Sequence, residues 1–319
     1  MGSEPGVLAV DLGGTNLRVA AVTPDGTVVH RITASTREHS GPDSVIEHMA
    51  RLCVEVAGAA NLAADAPIGV ASPGPLDPVT GVVIFTPNLV GWQNVPLASE
   101  LSRLTGRATR LANDANCAAL GEARFGAAVG YANVVYLGLG TGVGGGVIID
   151  GKMYEGGNGQ GVELGHVCVS IDGPRCSCGA IGCLEAYAAG WAVSHEAELL
   201  ADSEDGAAIL AAAGDRKPDA RAVIAAARSG DPASLALLAR AGRALGAACG
   251  AFINIFNPNA VVIGGGLTAA GDLLLEPARV ALASYAFRSL REQVAILPAA
   301  LGDDNGLKGA AAIALDLSA

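Results

Sequence analysis

VLAVDLGGTNLRVAAV, Val7 to Val22, is two apolar runs joined by a glycine turn that ends in Gly-Thr. Short runs of Val, Leu and Ala around such a turn predict a β-hairpin. The pattern returns at Val134 to Ile149, VVYLGLGTGVGGGVII, again with Gly-Thr in the turn. An Asp-Gly turn follows each copy, Asp25-Gly26 and Asp150-Gly151. A chain that repeats its opening hairpin near its middle reads as two related halves.

Strands and helices alternate around the two hairpins. Helical spacing covers Asp43 to about Ala60, a strand is expected in PIGVASPGP, a helix from Pro96 to Thr105, and a strand in ATRLAN that leads into DANCAALGEARFG. The second half adds expected helices at Lys217 to Arg228 and Pro232 to Phe256, the latter opened by Asp231-Pro232 and closed by Asn257-Pro258. A buried strand, AVVIGGG, then ends in Gly264, Gly265 and Gly266, and Gly306 to Leu317 reads as a final helix.

A length of 319 residues exceeds what one core usually holds, and 51% hydrophobic residues exclude general disorder, so two domains are the default. The formal charge of −11 opposes a phosphate-coating surface, and nucleic acid is not an expected partner. Charges and prolines interrupt the alanine-rich runs after position 200, leaving no expected membrane span. The first residues lack a basic segment with an apolar run behind it, and a cytoplasmic setting is expected. Seven cysteines argue against a disulfide framework, and Cys53, Cys117, Cys168 and Cys249 stand singly in apolar surroundings where a small buried side chain suffices.

Glycine after a strand lets backbone N–H groups approach phosphate oxygens closely. Three such places occur, at Gly13-Gly14-Thr15, Gly140-Thr141 and Gly264 to Gly266. Gly140 to Gly145 satisfies G-x-G-x-x-G, yet a strand follows it where a dinucleotide fingerprint must open a helix. No G-x-x-x-x-G-K-[ST] is present, which removes the ordinary P-loop. One such turn alone is as well explained by a tight hairpin; three together are not.

The chain resembles the ROK family (repressors, open reading frames, kinases), most closely its bacterial glucokinases. The resemblance rests on DLGGTNLR (11 to 18), SPGPLD (72 to 77), TPNLVGW (86 to 92), NDANCAALGEARFG (113 to 126), LGTGVGGGVI (139 to 148), ELGH (163 to 166) and RCSCGAIGCLE (175 to 185). It implies an α/β, two-domain actin-like ATPase (ribonuclease H-like) fold with a nucleotide and sugar cleft between domains. The expected domains are residues 1–118, with 306–319 packing back on them, and 119–305, which carries the cysteine loop 166–183. The implied activity is ATP-dependent phosphorylation of glucose at its 6-hydroxyl, with Mg²⁺, by a homodimer. Another hexose (fructose, N-acetylmannosamine, N-acetylglucosamine, allose), another donor (polyphosphate, ADP), or a non-catalytic sugar sensor are the alternatives. A filament-forming relative would leave the cysteine loop unexplained. The repressor members carry an N-terminal helix-turn-helix, for which the six residues before the first strand leave no room.

The resemblance also implies roles for particular residues. Asp114 matches the catalytic base, although an aspartate between strand and helix is also a common helix cap. Asn88, Asn113, Glu163, His166 and Glu185 match sugar-binding positions. Asp11 matches a magnesium carboxylate, with an Asx-turn as the alternative. Thr15 and Thr141 would bond phosphates, and Gly264 to Gly266 would lie against adenosine. Members of the family often carry Lys where this chain has Asn16, so a charge near the phosphates is either absent or supplied by Arg18. Three thiolates, Cys176, Cys178 and Cys183, with the His166 imidazole, are expected to make a closed structural zinc site, the alternative being unrelated residues with the cysteines as small core fillers.

Overall fold

The computed structural model describes residues 6–86 and 88–318. The first half contains β1 (Val7–Leu12), β2 (Asn16–Val22), β3 (Val28–Ser35), α1 (Gly41–Ala59), β4 (Ile68–Ser72), β5 (Leu76–Asp77), β6 (Val82–Phe85), β7 (Gln93–Val95), α2 (Leu97–Thr105), β8 (Thr109–Asn113) and α3 (Asp114–Phe125). The second contains β9 (Val134–Leu139), β10 (Val143–Ile149), β11 (Lys152–Tyr154), α4 (Glu185–Ala188), α5 (Gly190–Ala201), α6 (Ala207–Ala213), α7 (Ala220–Arg228), α8 (Pro232–Phe256), β12 (Ala260–Gly264), α9 (Asp272–Tyr285), α10 (Arg288–Arg291), β13 (Ala295–Pro298) and α11 (Asn305–Leu315).

The echo between the hairpins extends to whole sheets. One runs β3-β2-β1-β4-β8 and the other β11-β10-β9-β12-β13. In the first, β1, β2 and β3 are antiparallel while β4 and β8 run parallel to β1. In the second, β11 is antiparallel to β10, and β12 and β13 run parallel to β9. A third, small sheet orders β5-β6-β7. Its strands are too short to show alternation in the sequence.

The described residues of Met1–Ala132, Gly146–Val162 and Ala300–Ala319 form one compact unit, and Asn133–Gly145 with Glu163–Ala299 form another. Residue 118, the domain limit expected from the sequence, falls inside α3, which lies wholly in the first unit. In that unit β1 is apolar along nearly its whole length because helices cover the sheet, whereas the edge strand β3 alternates half-buried and exposed residues. Leu8, Val10, Leu17 and Val70 pack with Met49, Val56, Leu97 and Leu101 in one core. Helix α11 lies on β1 and β4 and crosses α3 so closely that a Cβ at Gly309 would sit 1.8 Å from the Cys117 carbonyl oxygen. Its return to the first unit is fixed by Glu122 of α3, a fully buried carboxylate that accepts N–H bonds from Ala127 (2.8 Å), Ala300 (3.0 Å) and Leu301 (2.9 Å). Such bonds to a charged group offset the cost of burying it.

In the second unit α8 keeps its expected limits, with Asp231 accepting from Ser234 N at its start and Asn257 left-handed at its end. Among the described residues it is the one helix long and apolar enough to cross a membrane, but 61% of its apolar window is buried. Gly242, Gly246 and Gly250 bring it against α9, so it is a core helix. Helix α7 begins at Ala220 and not at Lys217, because Asp219 caps it by accepting from Ala222 N. Cys53, Cys117 and Cys249 are buried as expected; Cys168 is exposed, on a loop bridge opposite Cys183.

Candidate active site

In the first unit the β1–β2 turn is closed by the Gly13 N–H donating to the Asn16 carbonyl at 2.9 Å. It is held from behind by Thr36, which is 3% exposed: its N–H donates to the Thr15 carbonyl (2.9 Å) and its hydroxyl to the Gly13 carbonyl (3.1 Å). Thr15 and Asn16 face solvent. Asn88 arrives at the same turn on the loop between β6 and β7, and a Cβ at Gly14 would lie 2.8 Å from the Asn88 Cβ.

Asp11 stands opposite Arg18 in the hairpin register and accepts from its guanidinium at 2.8 Å. Arg18 also donates to the Asp303 carbonyl at 2.6 Å, so its charge is spent on Asp11 and the start of the last helix. Burial, opposed by Arg18 and helped by Asp304, raises the Asp11 carboxyl above the ordinary carboxylate value. A dication beside it would relieve that strain, and a carboxylate at the edge of a glycine turn suits a magnesium that keeps much of its water.

Asn113 and Asp114 divide the work at the start of α3. The cap is Asn113, whose side-chain oxygen accepts from Ala115 N (2.9 Å) and Asn116 N (3.3 Å). Asp114 is exposed as the first helical residue, with Oδ1 2.8 Å from Ala115 N. Capping therefore falls mainly to Asn113, which keeps only its amide nitrogen as a donor for other partners.

In the second unit the shorter β9–β10 turn is closed by Gly140 N–H donating to the Gly142 carbonyl at 2.9 Å. The chain entering α5 backs it, with Gly190 N–H donating to the Gly140 carbonyl (2.8 Å) and Trp191 N–H to the Thr141 carbonyl (3.1 Å). The end of β12 lies alongside: Gly265 has φ +90° and its Cβ position is 2.5 Å from the Leu139 backbone, a place only glycine fills without displacement. Gly264 precedes it as the last residue of β12 and Gly266 follows it, with open space where a Cβ at Gly266 would lie.

Glu163 and His166 bracket a single tight helical turn, Leu164–His166, closed by His166 N–H donating to the Glu163 carbonyl at 3.0 Å. Between them Gly165 presses on β10, its Cβ position 2.0 Å from the Val143 carbonyl oxygen. Glu185 opens α4 and is buried; its Oε2 accepts from Val143 N at 3.0 Å and its Oε1 from the Ser177 hydroxyl at 2.9 Å.

His166, Cys176, Cys178 and Cys183 present ligand atoms all within 4.8 Å of one another. His166 Nδ1 is 3.6 Å from Cys176 Sγ, and Cys178 Sγ is 3.8 Å from Cys183 Sγ. A tetrahedral zinc with ordinary bond lengths requires about 3.6 Å between nitrogen and sulfur and about 3.8 Å between sulfurs. The donor set thus fits zinc in chemistry and spacing, and Nε2 of His166 is left for another partner. Burial raises the thiols of Cys176 and, to about 12, Cys183, while the Ala180 backbone lowers that of Cys178. A bound dication would hold all three as thiolates.

The geometry therefore brings Asp11, Gly13, Gly14, Thr15 and Asn88 together in the first unit, with Asn113 and Asp114 on α3. In the second it joins Gly140 and Thr141 to Glu185 and the cysteine loop. Thr36, Ser177, Gly190 and Trp191 support these residues but were not singled out in the sequence, since each acts through backbone atoms or a hydroxyl that no motif marks.

The model of the ROK family matches residues 7–317. The chain belongs to the ROK family. It is similar to the glucokinase of Thermotoga maritima, 40% identical over 96% of both chains. Among solved structures it is similar to a ROK hexokinase from Thermus thermophilus, 34% identical with a TM-score of 0.85 over 98% of this chain and 99% of that one. A ROK glucokinase from Streptomyces griseus, solved with glucose and AMPPNP, is 31% identical with a TM-score of 0.80 over 98% and 99%. The paired sheets are accordingly those of the actin-like ATPase fold that ROK sugar kinases share.

Proposed function

We propose that this protein is a glucokinase that transfers the γ-phosphoryl group of ATP to the 6-hydroxyl of glucose, acting in the cytoplasm as a homodimer. The observation that carries the reading is the start of α3: Asn113 holds the cap, and Asp114 stands exposed as the first helical residue with Oδ1 2.8 Å from Ala115 N, the carboxylate that matches the proton acceptor. Asp114 accepts the hydroxyl proton while the sugar oxygen bonds to the γ-phosphorus and the bond to the ADP oxygen breaks. Most of the barrier reduction comes from positioning and from donors aimed at the phosphoryl oxygens. Backbone N–H groups and hydroxyls at Gly13, Gly14, Thr15, Gly140 and Thr141 serve there, and Gly264, Gly265 and Gly266 admit the adenosine. Magnesium, held through Asp11, would neutralise phosphate charge.

Asn88, Asn113, Glu163, His166 and Glu185 hold the sugar. His166, Cys176, Cys178 and Cys183 would hold a structural zinc: with Nδ1 on the side of Cys176, a metal there would fix the His166 ring and leave Nε2 for the hexose. Two domains supply the two groups of residues.

The test is a coupled sugar-phosphate assay that crosses hexoses with phosphoryl donors. Glucose with ATP is expected to give the highest kcat/KM. A higher value with fructose, N-acetylmannosamine, N-acetylglucosamine or allose would reassign the substrate, and one with polyphosphate or ADP the donor. No turnover with any pair would leave a sugar-binding protein.

A further inference from the structure

We propose that Ser177 is a positioning residue for hexose recognition, its hydroxyl setting the plane of the Glu185 carboxylate. The inference rests on the reading of Glu185 as a sugar ligand. Ser177 stands between two proposed metal ligands, Cys176 and Cys178, so a metal on both neighbours fixes its backbone at either side. From there its hydroxyl donates to Oε1 of Glu185 at 2.9 Å. The other oxygen, Oε2, is held by the Val143 N–H at 3.0 Å.

The terminal torsion of a glutamate is broad, so one hydrogen bond leaves the carboxylate plane poorly defined and one on each oxygen defines it. Cys176 Sγ also lies 3.6 Å from Oε1, but as a metal-bound thiolate it would have no proton to donate, so Ser177 would be that oxygen's donor and about two of the carboxylate's four acceptor positions would remain for sugar hydroxyls. Room for this arrangement depends on Gly142, where a Cβ would be 2.7 Å from Oε2. Glu185 is 8% exposed, so water is a poor substitute for the lost hydroxyl. Ser177 thus carries the rigidity of the cysteine loop to the sugar ligand, and Val143 ties that ligand to the β9–β10 turn.

The test measures glucose affinity by calorimetry without nucleotide, glucose and ATP KM, kcat, and zinc content for Ser177→Ala, Ser177→Thr, Glu185→Gln and the Ser177→Ala/Glu185→Gln double variant. Ser177→Ala is expected to weaken glucose binding on the order of 10-fold, with kcat and the ATP KM within about two-fold of wild type. Zinc content should not change, and Ser177→Thr, which keeps the hydroxyl, should restore affinity. The double variant should bind glucose no more weakly than Glu185→Gln alone, because the serine acts only through that carboxylate. Wild-type affinity in Ser177→Ala beside weakened Glu185→Gln would overturn the role of Ser177 and spare that of Glu185. Unchanged affinity in Glu185→Gln would remove both. Loss of zinc from Ser177→Ala, or no recovery in Ser177→Thr, would make the serine a part of the loop's framework and overturn the inference.

Discussion

The β1–β2 and β9–β10 turns descend from one pattern, yet they are held in opposite ways. The first has an ion pair at its base, Asp11 with Arg18, and a buried threonine behind it. The second carries glycine along the same strands, at Gly138 and Gly144, and is backed by the main chain of Gly190 and Trp191 and by Glu185. A repeated hairpin therefore fixes where a glycine turn is presented but leaves its chemistry to whatever packs behind. The first turn is supported by its own half's side chains, the second by a loop whose shape a metal would set.

The largest expected effect lies outside both turns and calibrates the comparison. Asp114→Asn should lower kcat by about 10² or more while glucose binding stays within a few-fold, since an amide can hold a hydroxyl but cannot take its proton. Because Asn113 is the cap, the variant should melt close to wild type. Near-normal turnover by the coupled assay would reduce Asp114 to a first-turn helix residue.

Next in size is the loop behind the second turn. Cys178→Ser should leave the protein short of the roughly one zinc per chain expected of wild type and raise the glucose KM by about 10-fold to 100-fold. The bond from Val143 to Glu185 gives the same loop a route to the Gly140-Thr141 turn, so a smaller rise in the ATP KM is expected with it. Metal analysis and calorimetry on a variant with wild-type circular dichroism decide the matter. Unchanged glucose affinity in a folded, zinc-free variant would make the cysteine loop a surface staple.

The asymmetry between the turns was only half legible in the sequence. The hairpins, the cysteine loop and the limits of α8 could be read because each depends on local order: apolar runs, closely spaced thiols, and Asp-Pro and Asn-Pro punctuation. The equal strand order of the two sheets was implied by the repeat but required β3, β11 and β13, short or edge strands without strong patterns. Thr36 and Ser177 could not be found, since a threonine after an edge strand and a serine between cysteines look like solvated residues until packing shows what they touch. Asp114 was the residue read as a candidate cap, and only the bond geometry gives that part mainly to its neighbour Asn113. Cys168 was misplaced because its apolar neighbours belong to a loop.

The support of the first turn predicts the reverse selectivity. Thr36→Val keeps the size and the backbone N–H bond but removes the hydroxyl bond to Gly13 and leaves that half-buried carbonyl with one partner fewer. The ATP KM should rise by a few-fold and the glucose KM should not move. Equal changes in both would mean that the two turns are not separately supported.

Acid should separate the two supports by the smallest margin. His39, which follows the short turn containing Thr36, stacks on His48 of α1 with ring centroids 4.2 Å apart. Partial burial, the His39 ring and Arg51 lower the pKa of His48, against a weaker opposing pull from Glu38. A histidine with a folded pKa below its unfolded value contributes stability that is complete above the unfolded value, about 6.5, and is lost as pH falls below it. Between about pH 7.5 and about pH 5.5 wild type should therefore lose melting temperature that His48→Gln keeps. The pair is half-buried and still reached by solvent, so the difference should be on the order of 1 °C. Proton competition for a metal on the cysteine loop would lower both proteins alike, which is why the difference between them, and not the slope of either, reports on the first turn. Parallel curves would show that the stacked histidines do not support the turn, and the contrast would then rest on Thr36 alone.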